Sequence, residues 1–143
     1  MAIIETTGLH HVRLTVTDLG RSRAFYENVL GLTVAAESTG DPHDAAVRQD
    51  PAQLYGGVIY EAGGIWLGLR PVASAGDAFD SERTGLDHLS FGVPSRDALE
   101  AAAIALHQHG VTHGEIINLE SFGIAILSFS DPDGVHLELT APL

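Results

Sequence analysis

Residues 8–16 read GLHHVRLTV and residues 85–93 read GLDHLSFGV, an offset of 77 (85 − 8). Gly8/Gly85, Leu9/Leu86, His11/His88, Val12/Leu89, Leu14/Phe91 and Val16/Val93 correspond. A phrase written twice constrains the fold strongly, because each copy must open the same kind of supersecondary unit. Strict alternation puts Val12, Leu14 and Val16 on one face and His11, Arg13 and Thr15 on the other, the pattern of a strand with one apolar face. In the second copy Leu89, Phe91 and Val93 point inward, and His88, Ser90 and Gly92 lie opposite. A histidine therefore occupies the same slot on the non-core face each time.

The segment after each phrase repeats too. Asp18 is the expected N-cap of a helix over LGRSRAFYENVL, with Ala24, Phe25, Val29 and Leu30 available for its apolar stripe and Gly31 at its end. Ser95 is the matching N-cap of RDALEAAAIALHQH, and Gly110 ends that helix. Strand-like pieces come next: LTVAAES, YGGVIYEA and IWLGLRP in the first half, EIINL, IAILSFS and VHLELTA in the second. A polar loop, TGDPHDAAVRQDPAQ, separates the first two of these. The fold class is thus α+β, two tandem βαβββ modules at 1–70 and 85–143 joined by a linker at 71–84.

The closing strands align as well. GIWLGL at 64–69 matches GVHLEL at 134–139, an offset of 70 (134 − 64), which sets Gly68 opposite Glu138. His11, Gly68, His88 and Glu138 are then four equivalent positions on non-core strand faces. Two histidines and one carboxylate suit a divalent metal, and this is the ligand set of non-haem Fe(II) oxygenases; Zn, Mn, Co or Ni are alternatives. One such histidine alone reads as structural, whereas two at equivalent positions with Glu138 read as ligands. His10 adjoins His11, but the repeat sets it opposite Asp87 and on the other strand face, so His11 is preferred. Gly68 is expected to leave one side of the metal open. Arg13, Trp66 and His136 share strand faces with the ligand positions and, with Tyr60, are the candidates for substrate contact.

Other features have simpler explanations. His107 and His109 in HQHGVTHG lie on different sides of a helix and suit its C-terminus. DPDG reads as a type I turn rather than as part of a calcium loop. The chain has no cysteine, so thiolate sites and disulfides are excluded. Its net charge of −12, from 7 basic and 19 acidic residues, argues against nucleic acid and anionic membranes. The opening MAIIETTGLHH has no basic segment followed by an apolar one, and a cytoplasmic protein is expected.

HHVRLTVTDLGRSRAFYENVLGL and FSDPDGVHLEL resemble the opening strand–helix and the closing hairpin of the vicinal oxygen chelate superfamily. This superfamily includes glyoxalase I, extradiol dioxygenases, methylmalonyl-CoA epimerase, and fosfomycin and bleomycin resistance proteins. The resemblance covers nearly the whole chain. It implies curved mixed sheets around a metal-binding cavity, with His11, His88 and Glu138 at ligand positions and Gly68 in place of the fourth ligand of glyoxalase I. Two His and one Glu match the extradiol enzymes, so a dioxygenase-like enzyme acting on a small oxygenated substrate, aromatic ones included, is the expected function, with Fe(II) favoured. LESFGIAILSFSDPDG holds neither His nor Tyr, so no catalytic acid or base is assigned. The alternatives are a lyase or isomerase of the glyoxalase or epimerase kind, and a drug- or metabolite-sequestering resistance protein without catalysis. A homodimer is expected, because each module leaves sheet edges and a concave face for a partner to cover.

Overall fold

The computed structural model describes residues 2–143, which form two compact units, 2–76 and 77–143. The first runs β1 (His11–Thr15), α1 (Leu19–Ala24), β2 (Thr33–Glu37), α2 (Ala45–Arg48), β3 (Val58–Ala62) and β4 (Ile65–Arg70). The second runs β5 (Leu89–Gly92), α3 (Arg96–Gln108), β6 (Ile117–Leu119), β7 (Ile124–Ser130) and β8 (His136–Pro142). Each holds one open, four-stranded mixed sheet, in the order β1-β4-β3-β2 and β5-β8-β7-β6. In both, the first strand pairs parallel with the last, and the remaining pairs are antiparallel. No helix among the described residues is long and apolar enough to cross a membrane.

Alternation builds the core of each unit. Leu14, Val16, Val58, Leu67 and Leu69 are buried in the first; Ala125, Leu127, Phe129, Leu137, Leu139 and Ala141 are buried in the second. Each large aliphatic side chain enclosed in this way contributes roughly 1.5–3 kcal/mol. Helix ends follow the chemistry of the sequence. Asp18 Oδ1 accepts from Arg21 N at 2.8 Å, and Ser95 Oγ accepts from Ala98 N at 3.1 Å. Gly31 and Gly110, which end the helical segments, both sit at φ +67, a conformation open to glycine at little cost. In the second hairpin, Asp131 Oδ1 accepts from Asp133 N and Val135 N, both at 2.9 Å. This fixes the turn from which β8 starts.

Three local features depart from the sequence reading. The first helix widens into a π-turn over Phe25–Val29, and the extra residue rotates the buried face so that Phe25 and Tyr26, not Ala24, enter the core. The loop after β2 is partly helical, because Asp44 and Asp50 each cap a short turn, α2 and a 3-10 turn at Pro51–Gly56. His88 precedes β5 rather than opening it.

Tyr60 requires a correction. Proposed from the sequence as a substrate contact, it is fully buried, in register with core Leu67 and stacked on Tyr26 with ring centroids 6.4 Å apart. Alternation along β3 turns it away from the face that carries His11 and Arg13. Its enclosed hydroxyl makes no well-formed hydrogen bond, although Arg23 is close enough to act on it. Burial, and next the charge of Glu27, push the phenol up to about 12, with Arg23 opposing.

The folded protein thus holds this proton to higher pH than the unfolded chain does. The resulting stability is complete below about 10, the unfolded value, and is lost as pH climbs from there through about 12. Tyr60→Phe should preserve or raise stability at neutral pH, because it removes a buried oxygen that makes no well-formed hydrogen bond. Urea midpoints followed into the alkaline range should fall more steeply for the wild type than for Tyr60→Phe. Parallel curves would show that the hydroxyl is solvated in the fold.

Candidate metal centre

Parallel pairing of the first and last strands sets the candidate residues side by side within each unit. In the second, β5 and β8 pair Ser90 with Glu138. Leu137 and Leu139 face the core, so Glu138 and His136 share the opposite face. His88 Nε2 lies 3.9 Å from Glu138 Oε1. Two donors at about 2.1 Å from one ion span roughly 3.0–3.4 Å at octahedral or tetrahedral angles, so a small side-chain adjustment brings this pair onto a common ion. No group of three His, Asp or Glu side chains close enough to hold an ion forms among the described residues of this unit.

Each of the two groups is held by a neighbour. His88 Nδ1 lies 2.5 Å from Asp87 Oδ1. An ionised carboxylate only accepts, so Nδ1 donates to Asp87, and Nε2 is the ring nitrogen left on the Glu138 side. On the acid, Oε1 accepts from Thr140 Oγ1 at 3.1 Å, and Thr140 Oγ1 is 2.5 Å from Ser90 Oγ. With Thr140 donating to the carboxylate, Ser90 donates to Thr140. The result is a chain of hydrogen bonds running across the parallel strand pair. Support of this kind, one step behind a ligand, fixes ring orientation and tautomer at metal sites.

The pair opens into a cavity of about 340 Å³ lined also by His113, Ser128, Phe129 and His136. His136 is exposed and packs edge-on against Phe79, with centroids 5.5 Å apart. His113 went unremarked in the sequence, where it stood at the end of HQHGVTHG. Its Nδ1 donates to Gly114 O at 2.7 Å, which leaves Nε2 as the acceptor of the neutral ring. His109 does occupy the helix C-terminus, with Nδ1 2.8 Å from Ala105 O.

In the first unit His11 is exposed on β1, opposite Trp66, and Arg13 is opposite Gly68. His11 Nδ1 lies 2.8 Å from His10 Nδ1. His10 thus stands to His11 as Asp87 stands to His88. The sequence repeat had aligned these two residues, and their shared role was the signal left unread. Trp66 is half-exposed and packs edge-on against His10 at 5.4 Å, and the two line a smaller pocket of about 300 Å³.

Gly68 does not leave the open space expected of it. A Cβ there would lie 2.8 Å from Ile59 Cδ1, 3.0 Å from Arg13 Nε and 3.3 Å from Arg13 Cγ. The room freed by the missing side chain is filled from both neighbouring strands, by Ile59 of β3 and Arg13 of β1.

The sequence model of the Glyoxalase/Bleomycin resistance protein/Dioxygenase superfamily matches residues 8–139. "Uncharacterized protein YaeR" of Escherichia coli (strain K12) is 31% identical over 92% of this chain and 93% of its own length. "Catechol-2,3-dioxygenase" of Bacillus subtilis (strain 168) is 30% identical over 98% of this chain, which spans 43% of that enzyme. Among solved structures, a glyoxylase/bleomycin resistance protein/dioxygenase domain from Frankia sp. EAN1pec superposes with a TM-score of 0.73 at 28% identity, over 97% of this chain and 94% of that one.

The arrangement around His88 yields an expectation that does not depend on metal. In the neutral ring, ¹⁵N chemical shifts should place the His88 proton on Nδ1. Asp87→Ala should move the population toward Nε2–H, the tautomer usual for a free imidazole, whereas Asp87→Asn, whose amide oxygen still accepts, should largely retain Nδ1–H. An unchanged tautomer in Asp87→Ala would remove the orienting role.

Proposed function

The chain belongs to the Glyoxalase/Bleomycin resistance protein/Dioxygenase superfamily, and we propose that it is a metal-dependent enzyme of dioxygenase-like type. In this reading His11, His88 and Glu138 hold one divalent ion, with Fe(II) favoured over Zn, Mn, Co or Ni. The observation that carries it is the His88–Glu138 pair, 3.9 Å apart, with Asp87 engaging Nδ1 so that Nε2 is the ring nitrogen on the carboxylate side. When bound, the ion supplies Lewis-acid activation of adjacent substrate oxygens and, if it is iron, a site for O₂. A likeness to catechol-2,3-dioxygenase across nearly the whole chain supports the choice of reaction.

The remaining residues have supporting roles. Thr140 and Ser90 hold the Glu138 carboxylate in one rotamer. His136 and His113 line the cavity beside the ligand pair. Either imidazole carries a ring nitrogen that can hold or pass on a substrate proton, a role for which the sequence offered no candidate. Trp66 offers an indole face to an apolar part of the substrate.

We also infer a homodimer that binds a small molecule and needs no nucleic acid or membrane. Sedimentation at micromolar concentration checks it, and a monomer rejects it. Mixing His11→Ala chains with Glu138→Ala chains then shows whether one site draws on two chains. Activity partly returns if it does, and stays lost if each site is built from a single chain.

Elemental analysis of anaerobically purified protein tests the ion. Glu138→Ala and His88→Ala should each lower metal occupancy sharply, and occupancy at the wild-type level in either rejects the ligand set. With iron restored, O₂ uptake on vicinal diols supports the dioxygenase reading. Binding of an aromatic ligand with equal affinity in metal-free protein, and no turnover, would instead indicate sequestration without chemistry.

A further inference from the structure

The same strand-pair position carries opposite charge in the two units. In the second, Glu138 on β8 is paired with small Ser90 on β5. In the first, Gly68 on β4 is paired with Arg13 on β1, and the arginine lies across the glycine. Where one unit presents a carboxylate, the other presents a guanidinium. Arg13 is two residues from His11 on the same strand face, about 7 Å along the strand.

A second cation stands beside it. Arg70 comes two residues after Gly68 on β4, so it shares that face. The Tyr55 ring holds both, with its centroid 3.9 Å from Arg70 Cζ and 5.3 Å from Arg13 Cζ. Tyr55 and Leu54 adopt φ of +56 and +51 to place that ring. Non-glycine residues rarely take this conformation, at a cost on the order of 1–3 kcal/mol each. The Nε atoms of both arginines are buried without a hydrogen-bond partner. Elsewhere Arg23 pairs with Glu27 and Glu37, Arg96 pairs with Glu100, and Arg48 donates to the carbonyls of Pro71 and Val72. In a chain with 19 acidic residues and 7 basic ones, two arginines share this face and, among the described residues, are paired with no carboxylate.

We propose that Arg13, backed by Arg70, binds a carboxylate of the substrate, so that the substrate class is a small organic acid that also carries adjacent oxygens. A planar guanidinium matches the two oxygens of a carboxylate, and the Tyr55 ring keeps it flat and in place. The part of this that concerns the adjacent oxygens rests on the metal reading; the carboxylate part does not.

Titration calorimetry separates the two. Benzoate added to metal-free protein tests the arginines alone. It should bind to the wild type and bind at least 10-fold more weakly to Arg13→Gln, as expected for loss of a charged hydrogen-bond partner. Arg13→Lys, which keeps the charge without the fork, should fall between them. With metal restored, 3,4-dihydroxybenzoate should bind at least 10-fold more tightly than catechol to the wild type, and Arg13→Gln should abolish that preference. Circular dichroism melts confirm that the variants are folded, and Tyr55→Leu, which leaves both arginines, supplies an independent variant that should weaken benzoate binding. Failure of benzoate to bind, equal binding by wild type and Arg13→Gln, or inorganic phosphate binding more tightly than benzoate would each overturn the proposal. Loss of metal binding with benzoate binding intact would overturn only the metal reading.

Discussion

Parallel pairing between the first and last strand of each βαβββ unit is the constraint on which the rest depends. A parallel pair needs a long crossover, so everything between the two strands in sequence has to be laid out beside them. The helix covers one face of the sheet and the antiparallel meander completes it. Left on the other face are a row of residues from β1 beside a row from β4, and a row from β5 beside a row from β8. Chemistry from opposite ends of each half is brought together by backbone hydrogen bonds alone, before any side chain chooses a partner.

On that shared frame the two units carry different side chains. Asp87 orients His88 through Nδ1, and His10 stands in the same relation to His11. Asp is acceptor-only when ionised, whereas a neutral imidazole accepts at one nitrogen only, so the first histidine is held by a weaker and more easily altered partner. Glu138 projects from β8 over Ser90, whereas Arg13 projects from β1 over Gly68. In each pair one member is small, because two long side chains directly opposite each other compete for the same space. Duplication of a fold therefore leaves room for a division of labour. At the same strand position one unit carries a carboxylate and the other a guanidinium, with no change in strand order.

Burial explains why these sites are supported as they are. Glu138 is only partly exposed, so its carboxylate gives up water and recovers hydrogen bonding from Thr140 and, behind it, Ser90. Arg13 and Arg70 are in a similar position without a carboxylate to answer them, and the Tyr55 face offsets part of the cost. Strain at Leu54 and Tyr55 persists only because the surrounding turn, closed by the Tyr55 N to Asp50 O bond of 3.0 Å, over-determines it.

The sequence by itself determined the repeat, the strand and helix order, the caps at Asp18 and Ser95, and which residues alternate toward the core in β1, β4 and β8. These come from periodicity and local chemistry, which act over a few residues. It also aligned Gly68 with Glu138 and His10 with Asp87, since equivalence within a repeat is visible in one dimension. Only the tertiary structure decided what fills the space at each aligned position. Tyr60 was misplaced because the parity of an isolated strand is ambiguous until its register with Leu67 is known. The space at Gly68 was misjudged because the side chains that fill it, Ile59 and Arg13, come from the two strands paired with β4, which only the sheet order brings there. His113 joined the cavity for a similar reason: its backbone bridges to Phe129 on β7, a long-range pairing that no local pattern in HQHGVTHG encodes. Periodicity assigns a residue to a face, and packing across the sheet decides what that face encloses.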